Sequence, residues 1–517
     1  MPSARDPETL FVLSQKVIVD FLTLPWRSRN QFTFEISNRI NSILSCIPAS
    51  LIDSVVSGVI EEFSRLKTVT EGGAAELLLK AVVVPQLQVL DCRTLVKLGY
   101  VSDEVRHGFQ YTIAGLIPSL RNLVQLSFST HKNEFTLPVC DDEVLWNIGC
   151  NCPHLKSLNF RCCNHVTDEG LKCLIPGFSD STGCKHLEEL YVFESSVTEK
   201  GVTLALEHLK KLRIVDFREL CTSLILLYNK CMTNGSPLLE DGLKITHINN
   251  LGVCRPAQKL QFDQKIVRIC QILCPNLRNL KVRVTDFDVA HLKKLPSLTA
   301  VEFVYNIGRP LSPGEGTVNF LTQYGHQLSA LTIICNLFAV ELFVTIGDNC
   351  PNVKELWIKC NELLCNPEWV APVSQRIVYT HLESLYVRIG ETEDSECFLP
   401  AEVLVYILRC SWGLKSLQLI FRSVSVADTW FDSILMEINT GSLEKIFIAI
   451  PGSNCNYSAV MLSMETVESI MIHCPKLKVL GNLLVWNVTR TQVKELRDWI
   501  TARNLDVIIV YRFMKIK

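Results

Sequence analysis

The chain has 517 residues, 48% of them apolar and 20% charged, which supplies a large core and excludes a disordered polymer. Lysine and arginine number 51 against 53 aspartates and glutamates, a formal net charge of −2, so no bulk field draws in a polyanion and nucleic acid is not an expected partner. The start, MPSARDPETLFVLSQ, lacks the basic and unbroken apolar regions of a secretion signal, and the most apolar window, Ala330 to Ile346, is broken by Asn336 and Glu341 and too short for a bilayer. A soluble protein of the cytoplasm or nucleus without membrane contact is expected, its 22 cysteines reduced.

Residues 1–84 carry no repeat and predict a small helical module. Asp6-Pro7 pairs a cap with a first-turn proline, after which Leu10, Leu13, Val17 and Phe21 fall on one helical face. A second helix is predicted over Glu35 to Ser45 through Ile36, Ile40 and Leu44. A third follows Pro48 through Leu51, Val55, Val59 and Phe63.

From Leu87 one phrase recurs, L-x-x-L-x-Φ with Φ apolar. It reads LQVLDC at Leu87, LKSLNF at Leu155, LRNLKV at Leu277, LESLYV at Leu382 and LKVLGN at Leu477, in fourteen segments spaced 21 to 36 residues apart. Steps of three and then two fit neither an amphipathic helix nor a plain strand; they fit a short strand entered from a turn. In CPHLKSLNFRCCNHVTDEGLKCL, Leu155, Leu158 and Phe160 point inward, Cys163 sits at the turn and Val166 re-enters the core. Thr167 or Asp168 then caps a helix packed behind the strand. Cys152, Cys274, Cys350 and Cys474 each precede a proline at an element end, as small buried apolar residues. VTDEGL returns as VTEKGV from Val197 and more loosely as VTDFDVAHL from Val284. Arg218 to Gly242 reads as an insertion, and the segment at Ile245 fits the phrase poorly. One unit cannot bury its own apolar side, so neighbours must stack.

The C-P-x-L and V-T-D-x-G-L phrases resemble long, helix-backed leucine-rich repeats, of the cysteine-containing subclass common in F-box leucine-rich substrate receptors, over about residues 85 to 490. The resemblance implies an α/β solenoid: a horseshoe with a parallel sheet on its concave side and helices on its convex side, with about 13 to 14 repeats and a C-terminal cap over residues 85–517. Thr9 to Val17 (TLFVLSQKV) resembles the elongin-binding BC box, with Leu10 as anchor, Leu13 and Val17 beside it, and Ser14 where cysteine is usual. Ile47 to Val55 (IPASLIDSV) resembles a cullin box through Ile47, Pro48, Leu51 and Val55. The two in this order, ahead of leucine-rich repeats, resemble the Zyg-eleven and PRAME families, substrate receptors of cullin-RING ubiquitin ligases. That implies an elongin C-type adaptor, a cullin and a protein substrate as partners, with Leu10 in an adaptor pocket and Pro48 opening a helix against the cullin. IPASLIDSVVSGVI also resembles the start of an F-box, which would imply a Skp-type adaptor, although SRLKTVTEGGAAELLLK lacks the tryptophan and valine-cysteine run usual there. Without any family, the same helices read as a cap over the first repeat, and the whole chain as a leucine-rich scaffold that recruits no ligase.

No C-x-x-C, H-E-x-x-H, G-x-S-x-G or P-loop occurs, so the chain is not expected to be an enzyme or to hold a cofactor or metal. Cys162, Cys163 and His165 lie close in sequence, but Cys163 already serves the turn. Binding is expected on the strand face, where the residue between the second leucine and Φ points to solvent. Aromatics stand there at Tyr191, Trp357, Tyr386 and Phe447, a residue type favoured at protein hot spots. Trp357 and Tyr386 with Lys354, Lys359 and Arg388 predict a mixed aromatic and basic patch, and Tyr191 with Glu188 and Glu189 a more acidic one. Inserts at Ser129 to Cys140, Tyr305 to Thr317, Arg388 to Leu399 and Ala449 to Ser463 are expected to gather on one rim.

Overall fold

A computed structural model describes residues 10–29, 33–65, 74–93, 95, 103–128, 140–178, 181–251, 264–284, 289–305, 312–365, 378–390, 399–421, 426–449 and 460–511. The greater part of the four inserts, together with Thr9, lies outside these residues. Two compact units are present, one built on Glu8–Leu260 and Arg268–Leu277, the other on Arg278–Lys517. Among the described residues no helix is long and apolar enough to cross a membrane.

Each repeat phrase becomes a strand. In the first unit these are β1 (Val89–Asp91), β2 (Gln125–Ser127), β3 (Ser157–Asn159), β4 (Glu189–Tyr191), β5 (Ile214–Asp216) and β6 (His247–Leu251), parallel and in chain order. The second unit carries β7 (Asn279–Val284), β8 (Ala300–Tyr305), β9 (Ala330–Ile334), β11 (Glu355–Cys360), β13 (Ser384–Ile389), β14 (Ser416–Ile420), β15 (Lys445–Ala449), β16 (Val479–Gly481) and β17 (Ile508–Val510), again parallel and in order. Pairing is in register on the second leucine: Leu126 faces Leu158, Leu158 faces Leu190, and Leu356 faces Leu385. Both leucines and Φ are buried in almost every unit, each contributing about 1.5–3 kcal/mol of apolar burial. The chain is therefore an α/β leucine-rich repeat solenoid. The poor segment at Ile245 is a full member, with Ile245 and Ile248 buried in the leucine places. The apparent insertion from Arg218 to Gly242 is a long backing helix, Leu220–Asn234, with a short turn of helix after it, Leu238–Asp241. A strand beyond the fourteen, β17, lies within LDVIIV (Leu505–Val510), where the buried residues Leu505, Val507 and Ile509 alternate strictly and the L-x-x-L spacing is lost. A small parallel sheet, β10 (Leu337–Ala339) with β12 (Glu362–Leu364), was likewise not expected.

The cysteines before proline end helices. Cys152, Cys350 and Cys474 are C-caps whose N–H groups bond the carbonyl four residues back at 2.8–2.9 Å, and each carbonyl then accepts from the first leucine position of the next strand at 3.2 Å. Burial pushes the thiols of Cys152, Cys274, Cys350 and Cys474 up to about 12, so they stay protonated and unreactive.

The VTDEGL phrase resolves into a tie between repeats. Thr167 caps its own helix by accepting from Glu169 N at 3.2 Å, while its N–H and hydroxyl donate to Asp142 of the preceding helix at 2.8 and 2.6 Å. Asp168 repeats this one unit on, taking the same two groups of Thr198 at 2.8 and 2.6 Å. Asp428 does so for Ser463 at 2.7 and 2.8 Å. The glycine of the phrase makes room: a Cβ on Gly170 would lie 2.2 Å from Asp142 Oδ1, and one on Gly201 2.2 Å from Asp168 Oδ1. Gly201→Ala is therefore expected to cost about 1–3 kcal/mol, whereas Gly115→Ala, in a helix where a Cβ meets nothing within 4 Å, is expected to be neutral or to stabilise by up to about 1 kcal/mol; urea denaturation of both variants checks the contrast.

Burial raises the Asp428 carboxyl, but the donors of Ser463 and Thr466 outweigh burial and hold it below the ordinary aspartate range. A folded pKa below the unfolded one means that the stabilisation is complete above the unfolded value and is lost as pH falls through the folded value. The stability gap between wild type and Asp428→Asn is expected to be constant near neutrality and to narrow below about pH 4, as read by thermal melts across that range.

Candidate protein-binding surfaces

Among the described residues, four helices precede β1: α1 (Leu10–Arg29), α2 (Phe34–Leu44), α3 (Ala49–Arg65) and α4 (Ala74–Val82). Helix α2 is capped by Thr33, whose side chain accepts from Ile36 N, and buries Ile36, Ile40 and Leu44 as the sequence pattern requires. The helix α4 was not foreseen. Its exposed carbonyl ends are held by Asn41, whose Nδ2 donates to the carbonyls of Lys80, Ala81 and Val83 at 2.9–3.2 Å. Helix α3 seals the sheet: Asp53 accepts from Gln88 N and Val89 N at 2.9 and 3.1 Å, satisfying amides at the open edge of β1.

Helix α1 packs on α3 through Leu22, through Val19 against Gly58, and through Gln15 Nε2 donating to Ser54 Oγ at 2.6 Å. Its other side is apolar and uncovered. Leu13 is 44% exposed, Val17 66%, Phe21 57% and Leu24 62%, a stripe at helical spacing three turns long. Leu13 and Val17 of the expected BC-box thus face outward with Ser14, and Leu10 opens the helix. The expected cullin-box residues divide. Pro48 is exposed and Leu51 half-buried, but Ile47 and Val55 are buried. This corrects the expectation for those two: Val55 joins Ile52, Val59 and Phe63 in the interior of the helical layer, while the side of α3 under α1 is that of Ser54 and Gly58.

On the open face of the second unit, register places Thr332, Trp357, Tyr386, Gln418 and Phe447 in one row. Trp357 and Tyr386 stack, with ring centroids 4.7 Å apart and planes at 19°, and Trp357 remains 40% exposed. Two residues further along each strand, Lys359 pairs in register with Arg388, placing cations beside the rings. Burial raises the Tyr386 hydroxyl pKa, opposed by the Arg388 guanidinium. Lys354 stands apart from this patch, ion-paired to Glu383 at 3.3 Å. Phe447 is 1% exposed and is not part of any binding wall. Its register partner is Gly481, and the Phe447 ring fills the space that a side chain there would take, 3.2 Å from the missing Cβ.

The acidic candidate on the first unit is largely neutralised. Arg161 pairs with Asp216 and lies over the Tyr191 ring, 4.9 Å from its centroid. Tyr191 donates to Glu189 at 3.3 Å, and Glu189 also accepts from Ser157 Oγ at 2.8 Å. Burial, then the Glu189 carboxylate, raises the Tyr191 pKa. Glu188 faces Arg213 at 3.7 Å. Arg161 was not among the expected residues; strand alternation carried past Phe160 points to it, since two residues beyond Asn159 it faces the same way. Near it, Cys163 is buried at the turn as expected, and Cys162 adopts a positive φ of 63°. Among the described residues no group of histidine, cysteine, aspartate and glutamate is placed to hold a metal.

No protein-family model matches the chain, and no curated protein does. Among solved structures, it is similar to a chain of the Rad7 and Elc1 complex of yeast, with a TM-score of 0.44 and 12% identity, covering 94% of this chain and 96% of that one. It is also similar to a leucine-rich repeat protein of Leptospira interrogans, with a TM-score of 0.34 and 13% identity over 76% of this chain and 91% of that one.

The stacked pair and the buried ring give opposite expectations for truncation. Trp357→Ala is expected to cost no more than about 1.5 kcal/mol, the scale of an aromatic pair, while Leu356→Ala costs about 2–5 and Phe447→Ala about 3–5 kcal/mol; urea midpoints of the three variants test the assignment of faces.

Proposed function

We propose that the chain is a substrate-recognition subunit of a cullin-RING ubiquitin ligase of the cytosol or nucleus, with residues 1–84 as its docking module and the repeats as its substrate-holding surface. The single observation that carries this reading is the uncovered apolar stripe of α1. A terminal cap of a solenoid needs a polar outer face, and α2 to α4 with Asp53 already seal the first strand. An additional helix whose outward side is Leu13, Val17, Phe21 and Leu24 suits a partner groove that accepts an amphipathic helix. The resemblance of Thr9 to Val17 to a BC box makes an elongin C-type adaptor that partner. A cullin contact would use the exposed Pro48 and the half-buried Leu51. The substrate would be a protein held by Trp357, Tyr386, Lys359 and Arg388, and ubiquitin transfer would belong to other subunits.

The second reading, a leucine-rich scaffold that recruits no ligase, is favoured by Asp53 and by the burial of Ile47 and Val55, which give the helical layer a capping role of its own. A pull-down separates the two. Wild-type chain is expected to retain elongin C, and both Leu10→Ala/Ser14→Lys and Val17→Asp to lose it, with Val17→Asp leaving the melting temperature within a few degrees because the residue is solvent-facing. A wild-type chain that retains neither elongin C nor a Skp-type adaptor ends the ligase reading; retention of elongin C by both variants moves the docking site off α1.

A further inference from the structure

The residue after the first leucine of each repeat stands at the edge where its strand begins. In the second unit this position alternates in sign through Lys354, Glu383, Lys415, Glu444 and Lys478. Glu383 pairs with Lys354 at 3.3 Å and Lys415 at 2.6 Å, and Lys478 reaches Glu444 at 2.9 Å. That edge matches its own charge and offers little to a charged partner.

In the first unit the same position reads Gln88, Val124, Lys156, Glu188, Arg213 and Thr246, and further cations, Arg121, Lys185, Lys210 and Lys244, stand in the turns one or two residues ahead of the first leucine. Those four and Lys156 are all exposed, and none forms an ion pair among the described residues. The acids at this edge are already engaged: Glu188 faces Arg213 at 3.7 Å, and Asp53 accepts from the amides of Gln88 and Val89. Within the row, Gln88, Asn122, Val124, His154, Lys156 and His186 frame a groove of about 380 Å³. The imidazoles of His154 and His186 stack at 6.5 Å. Lys211 Nζ donates to His186 Nδ1 at 2.8 Å, which puts the ring proton on Nε2 as a further donor.

Neighbouring parallel strands lie about 4.8 Å apart, so the loops of successive repeats present their cations as a row, and the row runs across the unit without a single focus. Such a row fits charge spread along an extended chain. Its members are mostly lysines, point charges that suit separate carboxylates, whereas a phosphate group is better met by arginine forks. The groove holds no tryptophan, tyrosine or phenylalanine on which a base would stack. We infer that this edge of the first unit binds an extended aspartate- and glutamate-rich segment of a protein partner. It does so independently of whatever docks on α1.

Fluorescence anisotropy with the full chain and a labelled Asp/Glu octapeptide tests this, with an Asn/Gln octapeptide and a single-stranded RNA octamer as the other probes. The acidic peptide is expected to bind best and to weaken as salt is raised. Two separate charge reversals, Lys156→Glu/Lys185→Glu and Lys210→Glu/Lys211→Glu, are each expected to weaken it roughly tenfold, and Lys494→Glu, exposed on a helix of the second unit, to leave it unchanged. Equal binding of the neutral peptide, tighter binding of the RNA, or wild-type affinity in both double variants would overturn the assignment.

Discussion

Everything in this protein depends on the inability of one repeat to bury its own leucines. A three- to six-residue strand, with the first leucine of its phrase just ahead of it and the second leucine and Φ on the same side, has nothing in its own unit large enough to cover them. Only the next strand, paired in register, and the helix behind it complete the enclosure. Register is therefore specified strongly, because a slip of one residue would turn Leu158 or Leu385 outward and bring Asn159 or Tyr386 inward. Short strands joined by long connections are an entropic burden; at Asp142, Asp168 and Asp428 the helix of a connection is tied to the cap of the next.

Those ties explain residues that the leucine pattern leaves unassigned. Asp142, Asp168 and Asp428 each bond the cap of the following helix, so a terminal polar group that would otherwise need water is satisfied across a repeat boundary. The glycines at 170 and 201 exist because a carboxylate approaches the backbone there. The cysteines before proline do related work at the other end of the helix, where a small side chain fits between the last helical turn and the next strand. Their raised pKa values follow from that burial and make them part of the core.

With the interior committed, function is confined to what faces outward, and the outward surfaces differ in kind. The stack of Trp357 on Tyr386 is a rigid apolar island edged by Lys359 and Arg388. The turns ahead of the first unit's strands carry Arg121, Lys185, Lys210 and Lys244, and the strand edge of the second unit is an alternation of lysine and glutamate that neutralises itself. The stripe on α1 is a helix face that no described residue of its own unit covers.

The linear order of residues determined the repeat and with it the fold, since leucine spacing is a local property repeated many times. It also determined the outward position of Trp357 and Tyr386, which alternation along a strand dictates. It did not show β17, where strict alternation replaces the phrase, nor the helix α4, whose partners are the side chains of a helix some forty residues earlier. Whether an outward residue stays outward was decided only by tertiary neighbours: Phe447 is buried because the strand beside it offers a glycine, and Val55 lies in the interior of the helical layer. Charge behaved the same way, for Glu383 and Tyr191 look available in the sequence and are engaged by residues a repeat away. Periodicity is written into each segment, while exposure and pairing belong to contacts between segments, and those exist only once the chain has stacked.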